Sequence, residues 1–324
     1  MTRAYQSLFD ELRAYKHSRA LAVAFSTGLV DAIGDRATTS DVAARCSMRE
    51  DWTCSLLSVL ADAEVVEKIE DTWRLTNKGK DAVANEALRA FAGYHFHCYE
   101  AWLDLSGRCS GRINGPGFHR RASRNAEFVR SYLSSMEAIA RRNLPFLKER
   151  FHPNGTVIDV GAGPSTFCRH LVAEQRCRVT ALDLPPITKE AQRLFGCPAS
   201  FEWVAADFRE YVPKQKYDAL FCSHLLEYAS KLELPAWLLR MAGFIRSGGI
   251  GAFLTFLRAP DSEQIAQLDL FELSTGVNGD ILGHVCTRDE LQEALRIAGA
   301  SRITCKPLPK GASYPEYLVT CTWA

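Results

Sequence analysis

From Leu8 to Ile33 apolar side chains recur at helical spacing, with Leu8, Leu12 and Tyr15 followed by Leu21, Phe25 and Leu29. That period predicts an amphipathic helix ending near Gly28 or Gly34. Thr38-Thr39-Ser40-Asp41 is an N-cap cluster ahead of Val42-Ala43-Ala44, and Asp51-Trp52 opens a second run through Leu56, Leu57, Val59 and Leu60. Residues 65–69 and 72–76 then alternate on either side of Glu70-Asp71, as the arms of a β-hairpin do. Short helices followed by a hairpin predict a winged helix, and residues 1–100 are assigned to it.

A second helical region runs from Leu88 to Leu147, aromatic at Phe91, Tyr94, Phe96, Tyr99 and Trp102, broken at Gly111 to Gly117, and resumed at Phe128, Tyr132, Met136 and Ile139. Residues 101–154 are read as a helical linker. After Pro153-Asn154-Gly155 the pattern changes to apolar strands separated by helices. The strands expected are 156–160, 178–183, 201–205, 217–222, 250–256, 301–306 and 317–323, with helices between the first six. Such alternation predicts an α/β domain over 155–324, Rossmann-like, with a mostly parallel sheet. The last two strands are joined by a loop too short for a helical crossover, so the last strand should run antiparallel.

At 324 residues, 47% apolar and 24% charged, the chain suits two globular units. Its net charge of +1 gives no general pull towards nucleic acid or anionic membrane. A winged helix that binds DNA needs basic residues on the second helix and wing. Here those elements carry Glu50, Asp51, Asp62, Glu64, Glu67, Glu70 and Asp71, so nucleic acid is not an expected partner. No run approaches the roughly 18 apolar residues of a membrane span, and no leader pattern follows the first residues, which points to the cytoplasm. The 11 cysteines are scattered, odd in number and never spaced C-x-x-C, against a disulfide framework or structural zinc site.

Val157-Ile158-Asp159-Val160-Gly161-Ala162-Gly163 is a strand running into a Gly-x-Gly turn, where backbone can approach a ligand closely. Dinucleotide-binding proteins use the same turn, but prefer a third small residue where this chain has Thr166. Asp183 ends the second strand, 22 positions after Gly161, where a carboxylate can accept from both ribose hydroxyls. Ala206-Asp207-Phe208 follows the third strand, adding an acceptor for an adenine amino group and an aromatic face. Either aspartate could instead cap the helix that follows it.

Together with Asp183-Leu184-Pro185-Pro186, Gly248-Gly249 and the segment Trp73-Arg74-Leu75-Thr76-Asn77-Lys78-Gly79, these motifs resemble the small-molecule O-methyltransferases of the plant and bacterial natural-product type. The similarity spans nearly the whole chain, in the family's order. It implies a class I methyltransferase domain, S-adenosylmethionine as cofactor, a homodimer formed through the N-terminal helices, and a role in secondary metabolism. By the same resemblance Gly161, Ala162, Gly163, Asp183, Leu184, Asp207, Phe208 and Ser223 surround the cofactor. Trp102, Tyr132, Met136 and Tyr228 would line the acceptor site.

At the reacting centre the sequence departs from that family, whose histidine before Asp-Trp takes the acceptor's proton. Glu227-Tyr228 stands in that place, with His224 one turn earlier. The glutamate that orients the family's histidine falls on Val285, beside His284. His224, Glu227 and His284 are therefore the candidate catalytic groups, with Glu227 expected to govern acceptor chemistry. Three readings stay open: a replacement base for O-methylation, a carboxylate anchoring a cationic acceptor for N-methylation, or a metal organising a keto-acid for C-methylation. The metal reading has suitable ligand types but no tight spacing, and no metal is assigned. A non-methylating cofactor-binding protein or a cofactor sensor is the alternative of another class.

Overall fold

The computed structural model describes residues 3–103, 105–111, 118–174, 177–258, 265–278, 282–309 and 315–323. It divides into two compact units, Met1–Glu100 and Ala101–Ala324.

In the first unit α1 (Arg3–Ser26) ends where Gly28 takes the left-handed conformation, φ 74°, before α2 (Leu29–Ala32). β1 (Ala37–Thr38) leads into α3 (Thr39–Cys46), whose start is fixed by a capping box: Thr38 Oγ1 accepts from the Asp41 N–H and Asp41 accepts from the Thr38 N–H, each at 3.1 Å. Next come α4 (Glu50–Asp62) and the hairpin of β2 (Val66–Ile69) and β3 (Thr72–Leu75), then α5 (Asn77–Ala84) and α6 (Glu86–Leu103). β1 pairs with β3, making a three-stranded sheet where the sequence pattern gave two strands. A two-residue strand is too short for alternation to reveal it. Leu29, Ile33, Val42, Leu57, Leu60 and Trp73 form the unit's core. Leu12 and Tyr15 of the α1 stripe stay 64% and 60% exposed, and the Leu8 side chain lies outside the described residues.

The second unit begins with α7 (Leu105–Cys109), α8 (Phe118–Arg124) and the long α9 (Ala126–Arg150). Most of the Gly111 to Gly117 break lies outside the described residues. Then follow β4 (Gly155–Val160), α10 (Thr166–Ala173), β5 (Cys177–Asp183), α11 (Pro185–Phe195), β6 (Phe201–Ala205) and β7 (Tyr217–Ser223). A 3-10 turn (Leu226–Tyr228), α12 (Leu234–Ala242), β8 (Ile245–Phe256), α13 (Ile265–Asn278), α14 (Arg288–Ile297), β9 (Ala300–Pro307) and β10 (Glu316–Trp323) complete it. No helix joins β6 to β7, contrary to the expectation of one. Asp207-Phe208-Arg209-Glu210 forms a turn there, and Pro213 further on removes a backbone donor.

The seven strands order as β6-β5-β4-β7-β8-β10-β9, parallel from β6 through β8, with β10 antiparallel to both neighbours. This is the mostly parallel α/β sheet with an antiparallel last strand that the sequence predicts. Order reverses at β4, because β5 lies on one side and β7 on the other. A crevice at the carboxyl ends of those strands is where open α/β sheets bind ligands. Among the described residues no helix is long and apolar enough to cross a membrane.

Candidate active site

The turn after β4 is built from backbone that only small residues tolerate. Gly161 and Gly163 have φ of 68° and 50°, and the N–H groups of Gly161 and Ala162 donate to the carbonyl of Leu182 at 2.9 and 3.2 Å. Ala162 itself is buried against Leu171 and its neighbours. Asp183, at the end of β5, accepts from the Gly163 N–H and the Leu184 N–H, both at 2.7 Å. Burial lifts its carboxyl to about 6 against these two donors, with the Asp207 charge adding to the rise.

Beneath the turn, Asp159 is buried and accepts from Ser165 Oγ at 2.5 Å. Burial raises its carboxyl to about 7, opposed chiefly by the Ser165 hydrogen bond. Ser165 precedes α10 in the left-handed conformation, φ 51°. Asp159 was not singled out in the sequence, although an acid inside a largely apolar strand is itself a signal.

The Asp207 carboxylate is already engaged within the chain. Arg209 spans its carboxylate, with Nε 3.0 Å from both oxygens and an Nη 2.5 Å from one. Phe208, expected to offer a stacking face, is instead buried in the sheet's hydrophobic core, edge-on to Trp237 at 5.0 Å between ring centres.

On the acceptor side, β7 ends at half-buried Ser223, and His224 follows with φ 50°. His224 Nδ1 lies 3.1 Å from Glu227 Oε1, and its Nε2 lies 3.2 Å from Glu316 Oε1 at the start of β10. Glu227 is 1% exposed, and the same Oε1 accepts the Phe256 N–H at 2.8 Å. Glu316 is held in turn by Asn143 at 3.2 Å and Arg142 at 3.3 Å, both on α9. Burial opposes charge on the His224 ring, but the contacts with Glu227 and Glu316 outweigh it and lift the imidazole to about 9. The next residue, Leu225, stands over the glycine turn so closely that a Cβ at Gly161 would meet its side chain at 2.9 Å.

A methyltransferase-domain family model matches residues 132–303, more than half of the chain. The chain belongs to that methyltransferase family. No curated protein sequence matches it. Its fold is similar to human N-acetylserotonin methyltransferase, solved in complex with SAM, at 17% identity and TM-score 0.80 over 100% of this chain and 99% of that one. The mitomycin 7-O-methyltransferase MmcR is similar at 19% identity and TM-score 0.84, with 98% of each chain covered. PigF, solved with SAH, matches at 16% identity and TM-score 0.84 over 99% of this chain and all of the other.

In this methyltransferase the three expected catalytic residues do not converge on one point. Glu227 lies just beyond the carboxyl end of β7 but has no open face, because its side chain is enclosed by His224 and the backbone of Phe256. It can reach an acceptor only through His224. His284 is turned away, with Nε2 3.2 Å from Glu290 and Nδ1 3.7 Å from Glu272. Glu290 closes the capping box of α14, so His284 is part of the packing of that helix start. The metal reading finds no group of three potential ligands among the described residues.

Tyr132 is brought to the site: burial first, then the neighbouring Tyr228 phenol and Asp183 carboxylate, hold its own phenol well above the usual range. Half-buried Met136 lies one turn further along α9. No described contact joins half-buried Trp102 to these residues. Glu316, Arg142 and Asn143 were not singled out, since they lie far from the motifs in sequence and only their meeting in three dimensions connects them to His224.

Proposed function

We propose that the chain is an S-adenosylmethionine-dependent O-methyltransferase of a small-molecule acceptor in secondary metabolism, working as a homodimer. The reading is carried by one arrangement: a glycine turn tied to Asp183 packs against Leu225, the residue that follows a histidine held at the end of the adjacent strand, in a chain of the methyltransferase family.

The residues present suit the cofactor. A Cβ at Gly163 would meet nothing within 4 Å, so the turn leaves open space, and Asp183 presents a carboxylate beside it. Asp183 would take the ribose hydroxyls, and Asp207 would share its carboxylate between Arg209 and the adenine amino group. Gly161, Ala162, Leu184 and Ser223 would complete the wall. When bound, S-adenosylmethionine supplies a methyl group made electrophilic by a sulfonium.

Tyr132, Met136 and Tyr228 would hold the acceptor, and such positioning supplies much of the rate of an in-line displacement. We read His224 as the group that exchanges a proton with an acceptor hydroxyl, which requires the acceptor to displace Glu227 from Nδ1 or Glu316 from Nε2, because both nitrogens face carboxylates and Nε2 is buried. Held charged, it donates a hydrogen bond, and it takes a proton only as the ring becomes neutral at alkaline pH. The enclosure of Glu227 argues against its anchoring a cationic acceptor directly. For the dimer, the exposed Leu12 and Tyr15 on α1 offer apolar surface to a second copy.

The test is to incubate the protein with S-adenosylmethionine and a panel of phenolic and hydroxylated acceptors, following S-adenosylhomocysteine. Acceptor-dependent product supports the reading. Tight cofactor binding with no product from any acceptor would favour a cofactor sensor.

A further inference from the structure

We propose that Glu316 is a positioning residue for the acceptor site: with Glu227 it grips both nitrogens of His224 and fixes the ring as an imidazolium beside the cofactor turn. The inference rests on the proposed role of His224 and extends it to the last strand of the sheet, far from every motif in the sequence.

The geometry is that of a clamp. Glu227 comes from the 3-10 turn after β7 and meets Nδ1 at 3.1 Å, while Glu316 comes from the opposite direction on β10 and meets Nε2 at 3.2 Å. The second contact is an ion pair, its angle falling outside that of a hydrogen bond. Phe256 on β8 closes one side of the imidazole, with ring centres 4.5 Å apart. Behind Glu316, Arg142 and Asn143 of α9 hold its carboxylate in place. Among the described residues, Glu227 and Glu316 are the charged groups that act on the ring, and Arg142 acts on Glu316.

Two buried carboxylates need a cation between them, because either left uncompensated would be costly. Glu227 has one oxygen on His224 and Phe256 and leaves the other, Oε2, buried without a partner. Glu316 has Arg142 as a second cation, so it is Glu227 above all that depends on the imidazolium. Burial of the ring works against its charge, and the two carboxylates prevail. Of the three side chains only His224 keeps appreciable exposure, 20% against 1% and 3%, and since its Nε2 is itself buried an acceptor meets the clamp at the ring's open edge.

The experiment is a pH titration of the His224 imidazole by NMR in histidine-labelled protein, assigned by the signal lost in H224N. Wild type is expected to titrate well above the ordinary histidine range, and E316Q to lower that midpoint by about one unit or more while S-adenosylhomocysteine binding is retained. If E316Q does not fold, E316D draws the carboxylate back by one methylene and should still lower the midpoint. A wild-type midpoint near the ordinary value, or a midpoint unmoved in both variants, would overturn the clamp. The titration needs no acceptor, whereas S-adenosylhomocysteine formation reads the enzymatic role, so the two can fail separately.

Discussion

The backbone N–H of Gly163 donates to Oδ2 of Asp183 across 2.7 Å, so the glycine turn and the acid at the end of β5 form one hydrogen-bonded unit. An Asp183 side chain that only capped α11 would have no reason to reach back over the turn. Asp183→Ala therefore removes an anchor of the turn as well as the proposed ribose acceptor. Each charge-assisted hydrogen bond lost is worth ~1.5 to 3 kcal/mol, so S-adenosylhomocysteine affinity should fall at least tenfold by titration calorimetry. Unchanged affinity would place the cofactor elsewhere.

Cofactor affinity should also depend on pH through this residue. With the Asp183 carboxyl raised to about 6, the ligand-free site holds a proton below that value, and ribose hydroxyls prefer the charged form. Binding then releases a proton in acid, so affinity is level above about pH 7 and weakens as pH falls through 6. Calorimetry between pH 5 and 8 in buffers of different ionisation heat reads both the affinity and the proton. No proton release at pH 5 would contradict the raised carboxyl.

The fold was legible because its signals are local. The Thr38–Asp41 capping box, the left-handed Gly28, and the apolar strands around the Gly161 turn each follow from a few adjacent residues. The glycine turn after β4 was legible for the same reason. What stayed hidden depends on elements meeting in space. Nothing near Glu316 in sequence announces His224, and nothing about Phe208 alone says that Trp237 will cover its ring. Glu227 was picked out by alignment to the family's histidine, but whether a carboxylate faces substrate or the protein interior is decided by the packing of β8 and α13 against its turn.

Association is expected to run through α1. Leu12 and Tyr15 lie one turn apart and are mostly exposed, so they form apolar surface that a second copy can cover. Light scattering at micromolar concentration should give the mass of two chains, and the double substitution Leu12→Glu, Tyr15→Glu should shift it towards one. A wild-type monomer would remove the basis for the dimer.

The last prediction concerns Glu227, whose Oε1 serves two masters, the His224 ring and the Phe256 N–H. Glu227→Gln keeps an oxygen for the backbone donor but removes the charge beside Nδ1, so folding and S-adenosylhomocysteine binding should survive. Losing a carboxylate that favours the imidazolium must lower the His224 pKa from about 9, making the ring neutral, and able to take a proton, at lower pH. In a pH series of kcat/KM with an acceptor that needs deprotonation, the acid limb should move down by about one unit or more, with KM little changed. The peak rate should drop as well, because a weaker and less firmly oriented base contributes less of the 10²-fold to 10⁴-fold that proton transfer supplies. A raised KM with the limb unmoved would mean that Glu227 meets a cationic acceptor directly, against its burial. A variant matching wild type in both would leave the reaction to positioning by Tyr132, Met136 and Tyr228 alone.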